Sequence, residues 1–401
     1  MSEAADILVI GAGLVGSAAA WHCARAGASV LIAEAGHPNI GASGQNAGSL
    51  HFQIERRFLE NGERLAEEAA RITAISRMAI DDWAGLEAAL GEDLHVRREG
   101  GLMIAETPAE VDLLGRKVAR EQAAGLATQL LDGDEARRIA PYLSPHIVAA
   151  GFLADEGHAD PRAVTPAFAR AAVRAGAVLR NETRAVEIAR RQGGGFSVTL
   201  RQATGETRIR TERLLIAAGA WSPQVGMLAN IHLPLFPVAL TMNATERIAS
   251  FLPHLVQHVG RRLSMKQTHA GNILIGGGWP SRLRRGAGGG FDPALRPEPI
   301  EASRTENLRA AVAVVPAVAN MNLLRSWTGV TAVTADQLPL VGEVPRVPGL
   351  FVAAGGSAFT LGPTFARLVA RQILEQDRAG ADDALALLSP ARFEHLNGFM
   401  G

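Results

Sequence analysis

Residues 6–34 read DILVIGAGLVGSAAAWHCARAGASVLIAE, and the rest of the chain has to be arranged around them. The apolar run Ile7–Ile10 predicts a strand buried on both faces. Gly11, Ala12, Gly13 and Gly16 follow as a GxGxxG turn, and the alanine-rich, proline-free stretch Ser17–Ala26 predicts a helix closed by Gly27. Ser29–Ala33 is a second apolar strand, and Glu34 ends it. The spacing has a physical logic. Gly11 permits the tight turn, Gly13 lets a pyrophosphate approach the backbone, and Gly16 lets the helix pack close to the strand. The helix N-terminus then offers free N–H groups and a positive dipole end to the phosphates. Glu34 stands 18 residues after Gly16, at the reach of a ribose hydroxyl. A carboxylate there repels a 2′-phosphate, so the dinucleotide is FAD or NAD rather than NADP.

The chain has 401 residues, with 40 basic and 40 acidic side chains, enough for two domains and neutral overall. That balance gives no reason to expect nucleic acid or an anionic membrane as partner. No basic leader precedes the glycine turn, and no apolar run approaches a membrane span, so a cytoplasmic location is expected. Cys23 is the only cysteine, which excludes an internal disulfide and an iron–sulfur cluster held by this chain alone, and no metal site is expected. Cys23 falls on the predicted motif helix, where it reads as a small hydrophobe.

The stretch 37–53, HPNIGASGQNAGSLHFQ, is rich in small polar residues yet nearly uncharged, as suits backbone wrapped around a ligand. Ser43, Gln45 and Asn46 can donate to phosphate or ribitol, and Ala47 and Gly48 leave room for a flat ring; the alternative is an ordinary surface loop. Helical spacing is read over 56–90, 110–125, 132–139, 162–176 and 300–314. Meander strands are read near 186–188, 195–201 and 206–209, and antiparallel strands near 235–242, 263–267 and 272–276. A glycine-rich connection, Gly286–Gly290, separates the last of these from the 300–314 helix. Apolar strands ending in glycine recur near residues 10, 218 and 354 and can share one parallel sheet, the last leading into the helix LGPTFARLVARQILEQ. The fold class expected is α/β, a Rossmann-type nucleotide domain with an interleaved antiparallel α+β substrate domain. Residues 1–85, 145–225 and 320–401 are assigned to the first domain, and 86–144 and 226–319 to the second.

The GxGxxG turn with Glu34, the ASGQNAGS loop, RLLIAAGAWS, RSWTGVTAVTADQLPLVGEV and GLFVAAGGSAFTLGPTFA occur here in order. Together they resemble the FAD-dependent amine oxidoreductases, the group around D-amino-acid oxidase, glycine oxidase and sarcosine oxidase. The NAG loop and AFTLGPTFA are most similar to flavin dehydrogenases of opines, D-amino acids and hydroxyproline, many of which are one component of a heteromeric complex. The resemblance implies FAD held by Gly11, Ala12, Gly13 and Gly16, with Glu34 on the adenosine ribose. It implies Ser43, Gln45, Asn46, Ala47, Gly48 and Ser49 along the ribityl chain and flavin, Val186 beside the adenine, and Ala218 and Gly219 near the pyrophosphate. Gly356, Phe359, Thr360, Leu361 and Gly362 would bring backbone N–H groups to the flavin N1/C2=O side, where a helix dipole stabilises the reduced anion.

The oxidases of this group carry an arginine where this chain has Thr331, and a histidine or arginine where it has Ser357-Ala358. The substrate carboxylate is then left to Arg262, Lys266, Arg284 or Arg325. His51, just past the flavin loop, and Arg325 are the candidate catalytic residues; a structural role is the alternative for each. His158, in an HADP turn like that of a flavin-linking histidine in some relatives, and Trp221 and Trp327 read better as capping and packing residues. The expected activity is oxidation of the C–N bond of an amino acid, imino acid or N-substituted amino acid. Rivals are an oxygen-using oxidase and a flavin subunit that mainly relays electrons, with partner subunits carrying the electron-transfer centres.

Overall fold

A computed structural model describes residues 3–59, 65–287, 289–292, 295–375 and 381–400. Parts of three sequence-read stretches lie outside it: residues 60–64 of the 56–90 helix, Gly288 of the glycine-rich connection, and Gln376 of the last motif helix.

Strand Glu3–Ile10 is fully buried over its last four residues and pairs in parallel with Val30–Ala33 on one side and with Gly205–Ile216 on the other. Gly205–Ile216 pairs in parallel with Leu350–Ala354. The three glycine-terminated apolar strands therefore do lie side by side, Leu350–Ala354, Gly205–Ile216 and Glu3–Ile10. Val178–Arg180 extends the sheet at one edge and Leu340–Glu343 at the other. The meander Arg184–Arg190 and Phe196–Gln202 hangs from Gly205–Ile216. Helix Leu14–Arg25 is buried on nearly every side. Its alanines let helices Pro161–Arg174 and Gly362–Ile373 pack closely on it. Cys23 is buried on this helix, and burial raises its thiol pKa to about 12, which keeps it an inert apolar filler.

The second sheet runs in the order Leu323–Val333, Phe236–Arg247, Asn272–Gly276, Ser264–Gln267, Leu255–His258, Gly101–Ala105, Ala149–Leu153, Gln129–Asp132. It is antiparallel except where Leu255–His258 meets Gly101–Ala105. Two of its strands, Ala149–Leu153 and Leu323–Val333, fall inside the ranges the sequence assigns to the nucleotide domain. A short apolar run has the same local pattern in either sheet, and only its pairing partner decides. A two-stranded ribbon, Ser49–Leu50 with Gly157–His158, links the nucleotide loop to the HADP turn.

Burial makes acid titration a stability test. It lowers His22 and His51 to about 4 and His158 to about 3, with His254, His258 and His269 lowered as well. The unfolded chain then binds protons below the ordinary histidine pKa that the folded chain refuses, so stability falls with pH in that window. Glu156, raised to about 7 by burial, acts in the opposite sense between pH 7 and the ordinary carboxyl value. The histidines outnumber it. Stability measured by urea unfolding should fall from pH 6.5 to 4.5 with a slope of about two protons or more; a flat profile would contradict these burial assignments.

Candidate active site

At the glycine turn, Gly11 has φ +106°, and a Cβ there would sit 2.6 Å from the Ala217 carbonyl oxygen of the neighbouring strand. Only glycine fits that close approach. The Ser43 hydroxyl accepts from Leu14 N–H at 3.0 Å, capping the helix start from across the loop. Glu34 accepts from Ala12 N–H at 2.7 Å and Gly36 N–H at 2.8 Å. Each of its oxygens keeps a lone pair for a ribose hydroxyl. Ala218 and Gly219 continue the adjacent strand beside this turn. Val186 is the unpaired residue at a bulge, between Ala185 opposite Leu200 and Glu187 opposite Thr199.

The loop after Glu34 forms one helical turn, Ala42–Gln45. Asn46 is spent on the loop itself: its amide donates to Ser43 O at 2.7 Å and Ala42 O at 3.0 Å, and its Oδ1 accepts from Gly48 N–H at 2.6 Å. Gln45 likewise donates to Ile40 O, while its own carbonyl accepts from Trp327 Nε1 at 2.8 Å. These two side chains shape the loop; Gly48, at φ +76°, packs against the chain after His158, where a Cβ would sit 2.1 Å from the Ala159 carbonyl oxygen. Thr360 joins this loop to the C-terminal one, since its hydroxyl donates to Ser49 O and accepts from His51 N–H. Buried Trp83 donates to Thr360 O at 2.7 Å and packs on Phe359 at 5.7 Å. Leu361 then opens helix Gly362–Ile373, whose first turn has no side-chain cap. That helix is pinned by Asp82, which accepts from Arg367 twice, at 2.8 and 2.9 Å, and from Thr364.

Where the two loops meet, several buried polar atoms have no partner among the described residues: Ser49 Oγ, His51 Nδ1 and both ring nitrogens of His158. Buried Lys266 donates to the Ala159 carbonyl at 3.5 Å and lies under Gly48. Orphaned groups of this kind mark a place where a ligand or water completes the hydrogen bonding. Burial drives the Lys266 pKa well below the usual lysine value and lowers His51 to about 4, so His51 is a neutral imidazole at pH 7. Ser264 and Lys266, two apart on one strand, share a face, and the Ser264 hydroxyl lies 3.3 Å from His51 Nε2. Next along, the Ser357 hydroxyl donates to Glu55 at 2.5 Å and accepts from Arg57 at 2.7 Å. Burial opposes ionisation of Glu55, but Arg57, His51 and Ser357 together hold its carboxyl below the ordinary value.

Arg325 is not brought to His51. Its exposed guanidinium stacks over Trp327 at 4.9 Å on the edge strand. That strand stands three places from the one carrying Ser264, about 14 Å away at ordinary strand spacing. Arg284 faces Glu298 at 3.4 Å. Trp83, Asp82 and Arg57 escape sequence reading because they sit inside a helical stretch with ordinary amphipathic spacing, and Glu55 because it directly precedes that stretch.

The residues present fit FAD. The glycine turn and Glu34 suit its nucleotide, and the uncapped helix at Leu361 together with the orphaned groups around Gly48 suits a flat, anionic ring. Among the described residues no helix is long and apolar enough to cross a membrane. One of the opine oxidase subunits of Rhizobium meliloti is 26% identical, over 97% of this chain and 98% of that protein. The glycine oxidase of Bacillus licheniformis is 25% identical, over 93% and 94%. Among solved structures, L-proline dehydrogenase from P. horikoshii superposes with a TM-score of 0.84 at 23% identity, covering 98% of this chain and 99% of that one. Glycine oxidase from Geobacillus kaustophilus superposes with a TM-score of 0.78 at 24% identity, covering 94% and 96%. Residues 6–372 match the family described as DAO, FAD dependent oxidoreductase, and the chain belongs to that family of FAD-dependent enzymes.

Proposed function

We propose that this enzyme oxidises the C–N bond of an amino acid, imino acid or N-substituted amino acid and passes the electrons to an acceptor other than oxygen. Gly11, Ala12, Gly13, Gly16 and Glu34 would hold the nucleotide end of FAD. The loop Ser43–Ser49 and the segment Gly356–Gly362 would hold its ring end. When bound, FAD supplies the hydride acceptor. The protein's part is to orient the substrate and to deliver its amine neutral, because an ammonium nitrogen has no lone pair to stabilise loss of the α-hydride.

The observation that carries this reading is the group of buried polar atoms without partners around Gly48, His51 Nδ1 among them, beside buried Lys266. With Nε2 shared with Ser264, the neutral His51 Nδ1 is open to accept a hydrogen bond from the N–H of a neutral amine, and buried Lys266 lies under the neighbouring Gly48. Burial of both excludes bulk water from the imine product until it leaves. Support for a place within a complex comes from the relatives named as opine oxidase subunits and from the lone buried Cys23, which leaves onward electron transfer to another chain.

The test is anaerobic mixing of the holoprotein with a panel of opines, D-amino acids and proline derivatives, followed at the flavin absorbance. Bleaching by at least one amine is expected, with dye reduction far outpacing oxygen uptake. No bleaching by any member would defeat the reading, and oxygen uptake matching dye reduction would make it an oxidase. Bleaching should also speed up with pH as the substrate ammonium deprotonates.

A further inference from the structure

Resting on that reading, we propose that a cavity of about 470 Å³ lined by Arg56 and Arg262 binds a second carboxylate of the substrate. The preferred substrates would then be amines bearing a carboxylate on each arm of the nitrogen.

The cavity wall carries four guanidinium groups, Arg56, Arg261, Arg262 and Arg309, around the Trp279 indole, and one carboxylate, Glu306. Its framework is held in place. Arg56 Nε donates to Gly260 O at 3.1 Å, Trp279 Nε1 to Arg262 O at 2.6 Å, and Arg261 Nε to Glu106 at 2.6 Å. Glu306 faces Arg309 at 2.6 Å. Helix Glu301–Val314 lies along the wall through Ser303, Glu306 and Arg309. Planar guanidinium forks match carboxylates in pairs of hydrogen bonds. A concavity of this volume suits a small molecule.

Its place in the chain points to the substrate. Arg56 stands between Glu55 and Arg57, the two groups that bond Ser357. Arg262 is two residues before Ser264, the partner of His51. The segment that bonds Ser357 and the segment that bonds His51 thus each contribute an arginine to this wall. An amine lodged at His51 with a second arm pointing outward would place that arm's carboxylate among the arginines.

The test uses two amines that differ in one group, N-(1-carboxyethyl)alanine and N-isopropylalanine. Their dissociation constants are measured calorimetrically on anaerobic holoprotein, for the wild type and for Arg262→Gln and Arg309→Gln. The wild type should bind the dicarboxylate about tenfold more tightly or better, and the preference should shrink toward unity in both variants. An unchanged preference in the variants, or none in the wild type, would overturn the proposal. Loss of a co-purifying partner chain from the variants, with the preference intact, would assign the wall to an acidic partner and overturn it too. Flavin bleaching is read in parallel. If neither amine bleaches the flavin, the C–N reading fails for this class, while the affinity ratio still decides the cavity.

Discussion

Gly13→Asp should give a folded, colourless protein. A Cβ at Gly13 would meet only the Ser43 hydroxyl, at 3.2 Å, a side chain that can yield by a few tenths of an ångström. Gly13 is also the N-cap of helix Leu14–Arg25, a position where aspartate is favoured for its side-chain oxygen and its charge. The fold is therefore not penalised. The diphosphate is, because a fixed carboxylate now stands at the turn that should cradle it. Two like charges ~4 Å apart at an effective dielectric constant of ~20 repel by about 4 kcal/mol, roughly a thousandfold in affinity. Titration of apoprotein with FAD, read by flavin fluorescence, should show that loss with an unchanged circular dichroism spectrum. Gly16→Val supplies the contrast, since its Cβ would be driven into the Gly11 carbonyl oxygen. That variant should lose secondary structure as well as colour. A Gly13→Asp protein that stays yellow at wild-type affinity would remove the diphosphate from this turn.

That turn was legible because every residue in it is constrained by its own neighbours. A strand buried on both faces must be apolar throughout, and a helix packed against a strand must be small where they touch. Both leave a mark in consecutive residues, as at Ile7–Ile10 and Ala18–Ala20. The parallel run of the strands ending near residues 10, 216 and 354 was legible for the same reason. Pairing across the second sheet was not. Ala149–Leu153 and Leu323–Val333 join it through partners far away in sequence, and nothing local names them. The short strands Leu255–His258 and Leu340–Glu343 and the terminal helix Ala381–Leu388 went unread, being too short to show a period. At the site, the polar loop was visible, but which of its side chains bond inward was not. Asn46 and Ser43 look alike as donors in sequence, yet one closes the loop on itself and the other caps a helix 29 residues earlier. Lys266 read as one of four cations able to meet the substrate carboxylate, and that it is fully buried was not legible, because a strand's alternation does not say which of its two faces is covered.

Lys117→Met should cost about 3–5 kcal/mol of unfolding free energy, the usual consequence of leaving one member of a buried ion pair alone. Lys117, Glu121 and Glu156 have no exposed surface, and Gln53 is 3% exposed. The ammonium donates to Glu121 at 2.9 Å and to Gln53 Oε1 at 2.7 Å. Glu121 in turn accepts from Ile54 N–H at 2.5 Å. Glu156 accepts from the N–H groups of Phe52 and Gln53, both at 2.8 Å, and from Gln53 Nε2 at 2.9 Å. Three consecutive backbone donors just after His51 thus end on two carboxylates, and one ammonium neutralises the nearer of these. With methionine at 117 the charge of Glu121 stays in the core without its cation, and Gln53 loses a partner. The double variant Lys117→Met/Glu121→Gln removes that stranded charge while keeping an acceptor for Ile54, and should recover most of the loss. Guanidinium unfolding of the holoprotein measures both costs, and a single variant within about 1 kcal/mol of wild type would show that the pair is not coupled as described. Amide exchange gives the link to the site. If these carboxylates hold the extended segment that follows His51, residues 52–54 should lose protection in Lys117→Met and regain it in the double variant, with FAD affinity following the same order.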